Sequence, residues 1–275
     1  MTTTSMCRPS CAAERAWARH PAPAARRGRR PGDKISDTGY VSVRIRRVTT
    51  TRAGGVSKPP FGSFNLGDHV GDDPAAVAAN RARLARAIGL GAGRVVWMNQ
   101  VHGDRVEVVD EPRDAAFDDT DALVTRIPRL ALAVVTADCV PVLLADARAG
   151  VAAAVHAGRV GAQRGVVART VEAMLKLGAQ PEDVSVLLGP AVSGRNYEVP
   201  AAMADEVEAV LPGSRATTAA GKPGLDLRAG IACQLKDLGI TSIDTDPRCT
   251  VADPALFSHR RDAPTGRLAS LVWME

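Results

Sequence analysis

Between positions 130 and 158 the chain reads LALAVVTADCVPVLLADARAGVAAAVHAG, three apolar runs broken by Asp138-Cys139, by the segment ARAG and by His156. Short runs of β-branched and small apolar residues predict buried strands with both faces covered. LALAVVTADC and VPVLLADA read as paired strands, and ARAG as the turn into VAAAVHAG. YVSVRIRRVTT alternates as a strand, and a loop rich in Gly and Pro follows it. Pro74, behind Asp72 and Asp73, marks a helix start for AAVAANRARLARAIGL, which the glycine-rich stretch 89–93 ends. VVWMNQVHG, RVEVVD, DALVT, VSVLLGP and SIDTD read as further strands. Helices are expected over 161–177 (GAQRGVVARTVEAMLKL), AAMADEVEAVL and DLRAGIACQLKDLG, and FSHRRDAPTGRLASLVWM completes the chain. No repeat of fixed period and no interior linker interrupts this pattern, so residues 40–275 are expected to form one α+β domain.

Residues 1–39 break the pattern. They hold eight Arg or Lys against three acidic residues and lack a periodic apolar face, so they read as a disordered basic extension. The remaining 27 basic and 27 acidic residues cancel, which places the whole formal charge of +5 in the head. The folded part therefore has no net field for a polyanion, and no nucleic-acid partner is expected. Thr136, Asp138, Cys139 and Asp146 interrupt the best apolar run well short of the roughly 18 residues a spanning helix needs, so no membrane partner is expected either. The head has the Arg-rich, acid-poor character of a transit peptide but lacks the apolar core of a secretory signal, and a cytoplasmic location is expected. The chain length of 275 with 45% hydrophobic residues allows a large core and excludes fibrous or disorder-dominated classes.

Five cysteines, Cys7, Cys11, Cys139, Cys233 and Cys249, make an odd set without regular spacing, which argues against a disulfide scaffold. Cys233 reads as a small core residue of an amphipathic helix. Cys139 has chemical company. His102 in NQVHG, Cys139 in TADC and His156 in VHAG each end a predicted strand at a Gly-bearing or polar loop, where a sheet can aim residues from distant sequence at one point. A thiolate and two neutral imidazoles suit Zn²⁺ with its fourth position open to water or substrate. Each taken alone has a structural reading, a hydrogen-bonded histidine or a core thiol. Together, beside Asp138, Asn99 and Gln100, they point to a metal centre.

The series FNLGDHVGDD, NQVHGDRV, DALVT, AVVTADCVPVLLAD, AAVHAG, LGPAVSGRNYEV, DLRAGIACQL and FSHRRDAPTGR resembles the YfiH family, also called the laccase-domain, polyphenol-oxidase-like or peptidoglycan-editing-factor family. The likeness runs collinearly over about residues 43–274 and leaves out the head. It implies a single domain of mixed β-sheets flanked by helices, with zinc, or alternatively copper, held by His102, Cys139 and His156. It also implies small-molecule partners, a purine nucleoside and phosphate: phosphorolysis of adenosine, inosine and methylthioadenosine, and deamination of adenosine. Asp138 is then a candidate proton shuttle beside the three ligands. Phosphorolysis needs anion donors. Arg159 and Arg164 flank the helix start GRVGAQRG, and Arg260 and Arg261 are candidates for a further clamp. Here the chain departs from the family, whose HAGWRG reads HAGRVG, with Arg159 in the Trp position and Val160 in the Arg position. His69 is a candidate for orienting substrate, and Tyr197 either stacks on a base or packs in the core.

Two other function classes compete. A Cys139–His156 dyad fits a cysteine hydrolase or amidase acting on a peptidoglycan precursor, and the altered HAGRVG loop fits a nucleoside-binding module without turnover. A four-copper oxidase lacks ligands, because only His20, His69 and His259 remain beyond the pair already assigned. Oligomeric state is left open by the sequence.

Overall fold

In the computed structural model, residues 43–275 are described; the expectations for residues 1–39, Cys7 and Cys11 included, lie outside them. The chain begins with β1 (Ile45–Thr49), a long loop and α1 (Pro74–Ala87). Asp73 caps α1, its side chain accepting from the N–H of Ala75, with Pro at the first helical position as the sequence indicates. Then come β2 (Val95–Val96), β3 (Val106–Val109), β4 (Ala122–Thr125), β5 (Ala131–Thr136), β6 (Val140–Asp146) and β7 (Val151–Ala157). The second half holds α2 (Arg159–Gln163), α3 (Val166–Lys176), β8 (Val184–Leu188), α4 (Ala201–Val210), β9 (Arg215–Thr217) and β10 (Pro223–Leu225). It closes with α5 (Leu227–Asp237), β11 (Ser242–Thr245), the short α6 (His259–Asp262) and β12 (Leu268–Met274).

Two mixed sheets carry the fold. One orders its strands β1-β12-β5-β2, the other β11-β8-β6-β7-β4-β3, while β9 and β10 form a separate ribbon. Strand alternation assigns the layers. Ala153 and Val155 of β7 and Val142 and Leu144 of β6 face α3, α4 and α5 through Val171, Met174, Val207 and Ile231. The opposite faces of the same strands, Leu143, Ala152 and Ala154, meet Leu132, Val134 and Val272 of the second sheet. Beyond it, Ala131, Ala133 and Trp273 pack on Leu84 and Ala85 of α1. The result is a helix, sheet, sheet, helix sandwich in which β5, β6 and β7 are buried on both faces, as their unbroken apolarity predicts.

Four local expectations change. LALAVVTADC and VPVLLADA do not pair: β5 lies between β12 and β2, and β6 between β7 and β8, in the other sheet. Ala137, Asp138 and Cys139 carry the chain across the gap between sheets, a distance of ~10 Å that three residues can span. Asp138, at φ 95°, makes the turn. The expected helix over 161–177 is two helices, because Gly165 at φ 84° breaks the spiral between α2 and α3. In VVWMNQVHG only Val95–Val96 pairs as a strand, and the rest is loop. Cys233 lies on α5 but is only partly buried and is disulfide-bonded, so it is not the small core residue expected.

Leu143 is fully buried between the sheets. Its replacement by Ala is expected to destabilise the fold by about 2–5 kcal/mol, measured by equilibrium denaturant unfolding; a loss under about 1 kcal/mol would contradict the close packing assigned to that layer.

Candidate metal centre

His156 follows Ala152 and Ala154 onto the face between the sheets. The register of β4 on β7, Ala122 opposite Val155, sets Asp121 beside it. The backbone N–H of His156 donates to the Asp121 carbonyl at 2.8 Å, and its Nδ1 lies 2.8 Å from Asp121 Oδ1. A ring that donates through Nδ1 keeps Nε2 free as a ligand, so the carboxylate fixes both tautomer and orientation. The same carboxylate accepts from the backbone N–H groups of Val101 at 3.2 Å, His102 at 3.0 Å and Gly103 at 2.7 Å. These three bonds explain why NQVHG leaves strand geometry: its amides turn inward to one buried anion. Burial raises the pKa of Asp121, but the hydrogen bond and charge of His156 and the Gly103 and Val101 amides outweigh it, and the net direction is down.

Held this way, His102 adopts φ 60°, in the left-handed region. Its ring stands edge-on to that of His156, with centroids 4.7 Å apart at 75°, and its Nε2 is 3.8 Å from Cys139 Sγ. Gly158 is required by the close approach: a Cβ there would fall 2.6 Å from His102 Cδ2 and 3.2 Å from Cys139 Sγ. The ligand atoms of His102, Cys139 and His156 all lie within 4.8 Å of one another. Zn–S and Zn–N bonds in tetrahedral geometry put ligand atoms roughly 3.4–3.6 Å apart, so the spacing is compatible with a divalent ion after a small closure. Burial pushes the Cys139 thiol up, but the neighbouring His156 charge and the hydrogen bonds of both imidazoles bring it down to about 6. Burial lowers His156, and Cys139 and Asp121 raise it to about 9. Without metal, thiol and imidazole thus share a proton as a thiolate–imidazolium pair.

The three ligands open onto a cavity of about 290 Å³. From α2, α5 and the loop after β8 it receives Arg159, Leu227, Val192 and Tyr197; from the sheet containing β5 and β12, Thr136 and Arg267; and from the α6 end, His259 and Arg260. Gln100 stands in for a strand neighbour at the end of β5: its side chain donates to the Val135 carbonyl at 2.7 Å and accepts from the Val135 N–H at 2.8 Å. His69 also reaches the cavity wall, and its Nδ1 lies 3.6 Å from Asp68.

The remaining sequence candidates divide. Asp138 lines the cavity, but its carboxylate is committed to three donors, Thr250 Oγ1 at 2.5 Å, Ser258 Oγ at 2.8 Å and the Arg260 N–H at 2.7 Å. Geometry makes it a positioning residue that pins α6 at the cavity, in place of the free carboxylate a proton shuttle requires. Arg159 points in and is braced by Gln163 Oε1 at 2.8 Å. Arg260 lies 5.1 Å over the Tyr197 ring, at the wall. Arg164 does not reach the cavity; it is exposed at the C-terminal end of α2. Arg261 points the other way from Arg260, because the turn of α6 aims its guanidinium at the carbonyls of Thr250, Val251, Asp253 and Leu256. Sequence reasoning missed Asp121, Arg267 and His259. A carboxylate opening the apolar run DALVT, and an arginine directly before the apolar run LASLVWM, are the signals that were there to use.

Fold and site together define an α+β protein of two mixed sheets with a metal-capable Cys-His-His group facing a cavity lined by arginines. The chain belongs to the family described as multi-copper polyphenol oxidoreductase laccase, which matches residues 46–275, and its solved structural relatives include YfiH proteins. It is 84% identical over 239 residues, 87% of this chain and 96% of the relative, to a protein of Mycobacterium tuberculosis named purine nucleoside phosphorylase. A Corynebacterium glutamicum protein of the same name is 60% identical over 84% of this chain and 94% of its own length. The crystal structure of the Bacillus licheniformis hypothetical protein YfiH matches with a TM-score of 0.79 at 32% identity, over 84% of this chain and 93% of that one. YlmD from Geobacillus stearothermophilus gives 0.78 at 32% identity, covering 86% and 93%. Among the described residues the metal-capable group is this one set of three, so no second imidazole cluster accompanies the multi-copper description. No helix among the described residues is long and apolar enough to cross a membrane.

Asp121→Asn removes the anion that both imidazoles depend on, and metal affinity is expected to fall about 10–100-fold, read by chelator competition; wild-type affinity in the variant would contradict the anchoring role. Because the metal-free thiol–imidazole pair keeps a proton below about 9, Zn²⁺ uptake at neutral pH is expected to release about one proton and to weaken as pH falls. Calorimetry in buffers of different ionisation enthalpy measures this, and a zinc titration independent of the buffer would contradict it.

Proposed function

We propose that this chain is a zinc-dependent purine nucleoside phosphorylase, with His102, Cys139 and His156 as the metal ligands. The observation that carries this reading is a metal-capable group opening onto a cavity with three arginines, Arg159, Arg260 and Arg267, none with a carboxylate at ion-pair distance among the described residues. The names of the 84% and 60% identical relatives support it. Zinc held by these residues supplies a Lewis acid with an open position.

The chain's own residues suit the rest of the reaction. Val192, Leu227 and Tyr197 form an apolar and aromatic wall for a purine face. The unpaired arginines attract and orient phosphate. A phosphate oxygen bonds to C1′ as the C1′–N9 bond breaks, and the electron pair of that bond leaves with the purine, which takes up a proton. The products are the free base and ribose 1-phosphate. Adenosine, inosine and methylthioadenosine are the substrates proposed, with deamination of adenosine as a second activity of the same cavity.

A second reading has its own observation. The thiolate character of Cys139 beside His156 is the arrangement of an activated nucleophile, suited to hydrolysis of a peptidoglycan-precursor amide. Chelation separates the two, since a dyad keeps its activity when metal is removed.

Purified protein incubated with adenosine, with and without phosphate, is expected to form adenine and ribose 1-phosphate only when phosphate is present, with inosine reporting deamination. Chromatographic separation of the bases gives the result. Cys139→Ala is expected to reduce both products to background, and undiminished turnover in that variant would remove the site assignment.

A further inference from the structure

We propose that Arg267 is the phosphate-seating residue of the cavity, an oxyanion subsite built by the loop 65–69 and the start of β12. The proposal deepens the phosphorylase reading and rests on it for the identity of the anion as inorganic phosphate.

Arg267 differs from the other two cavity arginines in how its charge is housed. Arg260 is exposed and stacked on Tyr197, and Arg159 is braced by Gln163. Arg267 is half-buried, and burial lowers its pKa against the opposing pull of the nearby Cys139 and Asp138 charges. Its Nη1 donates to the carbonyls of Thr265 at 2.9 Å and Gly266 at 3.1 Å. Nε and Nη2 have no acceptor among the described residues. A partly desolvated cation with no carboxylate at ion-pair distance is costly, and the cost is recovered when an anion enters. The two unused donors suit the bidentate recognition of an oxyanion by a guanidinium.

The surroundings are shaped to hold this side chain. Asn65 Oδ1 accepts from the N–H groups of Arg267 at 2.8 Å and Gly67 at 3.0 Å, and Asn65 Nδ2 donates to the Gly67 carbonyl at 3.0 Å. The N–H of Leu66 donates to the Arg267 carbonyl at 3.1 Å. Gly67 lies flat against the arginine stem: a Cβ there would come 2.6 Å from Arg267 Cγ, and 3.5 Å from His69 Cε1. His69 therefore stands beside the same subsite. Two buried hydroxyls without a partner flank it in the fold. Thr136 is opposite Leu268 in the strand register and part of the cavity wall, and Thr265 is two residues before the arginine.

The test titrates inorganic phosphate into the full zinc-loaded chain by calorimetry, with steady-state phosphorolysis of adenosine in parallel. Arg267→Met keeps the stem and removes the fork, Arg267→Lys keeps the charge alone, and Gly67→Ala displaces the stem and its guanidinium while removing no polar group. Arg267→Met and Gly67→Ala are expected to weaken phosphate binding and raise KM for phosphate at least about tenfold, with KM for adenosine within about twofold, and Arg267→Lys to fall between. If Arg267→Met fails to fold by thermal melting, Gly67→Ala decides the matter. Phosphate binding that is unchanged in a folded variant, absent from the wild type, or lost only together with adenosine binding overturns the subsite. A wild type that binds phosphate through Arg267 but makes no ribose 1-phosphate overturns the phosphorylase reading and leaves the oxyanion subsite standing.

Discussion

A single buried carboxylate organises the centre. Asp121 reaches His156 through the ring and His102 through the backbone, so two members of the metal-capable group, from different segments, are positioned by one anion. It is fully buried and, with four donors around it, fully engaged. A buried carboxylate without such partners would be driven to protonate. Surrounded by three amides and an imidazole it stays ionised, and an ionised Asp121 is what makes His156 a good donor through Nδ1. Fold stability and ligand geometry therefore draw on the same set of hydrogen bonds.

The crossing between sheets supplies the third member of the metal-capable group. β5 ends in one sheet and β6 begins in the other, and Cys139 is the last residue of the short connection. Because β7 is the hairpin partner of β6, with Pro141 opposite His156, the thiol emerges next to the imidazole. Two residues of this neighbourhood, His102 and Asp138, hold left-handed backbone angles without being glycine. Such conformations cost roughly 1–3 kcal/mol each and persist where the surroundings over-determine them. Here those surroundings are visible: amides bound to Asp121 in one case, and three donors on the Asp138 carboxylate in the other.

Much of this was legible in the amino-acid order, and the exceptions share a cause. Buried strands, the capped start of α1 and the placing of Cys139 and His156 near strand ends follow from local patterns of apolarity and capping, whereas His102 lies in a loop that Asp121 holds. What local pattern does not carry is partnership. An apolar run looks the same whether its neighbour lies in its own sheet or in the next one, so β5 and β6 read as a pair. Arg260 and Arg261 are adjacent in sequence, yet a short helical turn sends one to the cavity and the other to four backbone carbonyls. Asp121 and Arg267 escaped notice because a lone charge at the start of a strand gains meaning only when residues far along the chain surround it.

The HAGRVG departure takes on a physical sense in this setting. Gly158 must stay without a side chain because His102 and Cys139 crowd it, and α2 begins immediately after it. The first helical position, Arg159, then lies at the cavity wall, and Gln163 one turn later fixes its guanidinium. Val160, the next position, is rotated by about 100° around the helix and takes no part in the wall. Arginine at position 159 thus brings a positive charge to the cavity wall, which position 160 does not reach. The position that follows Gly158, and not the one after it, therefore sets the charge of that part of the wall.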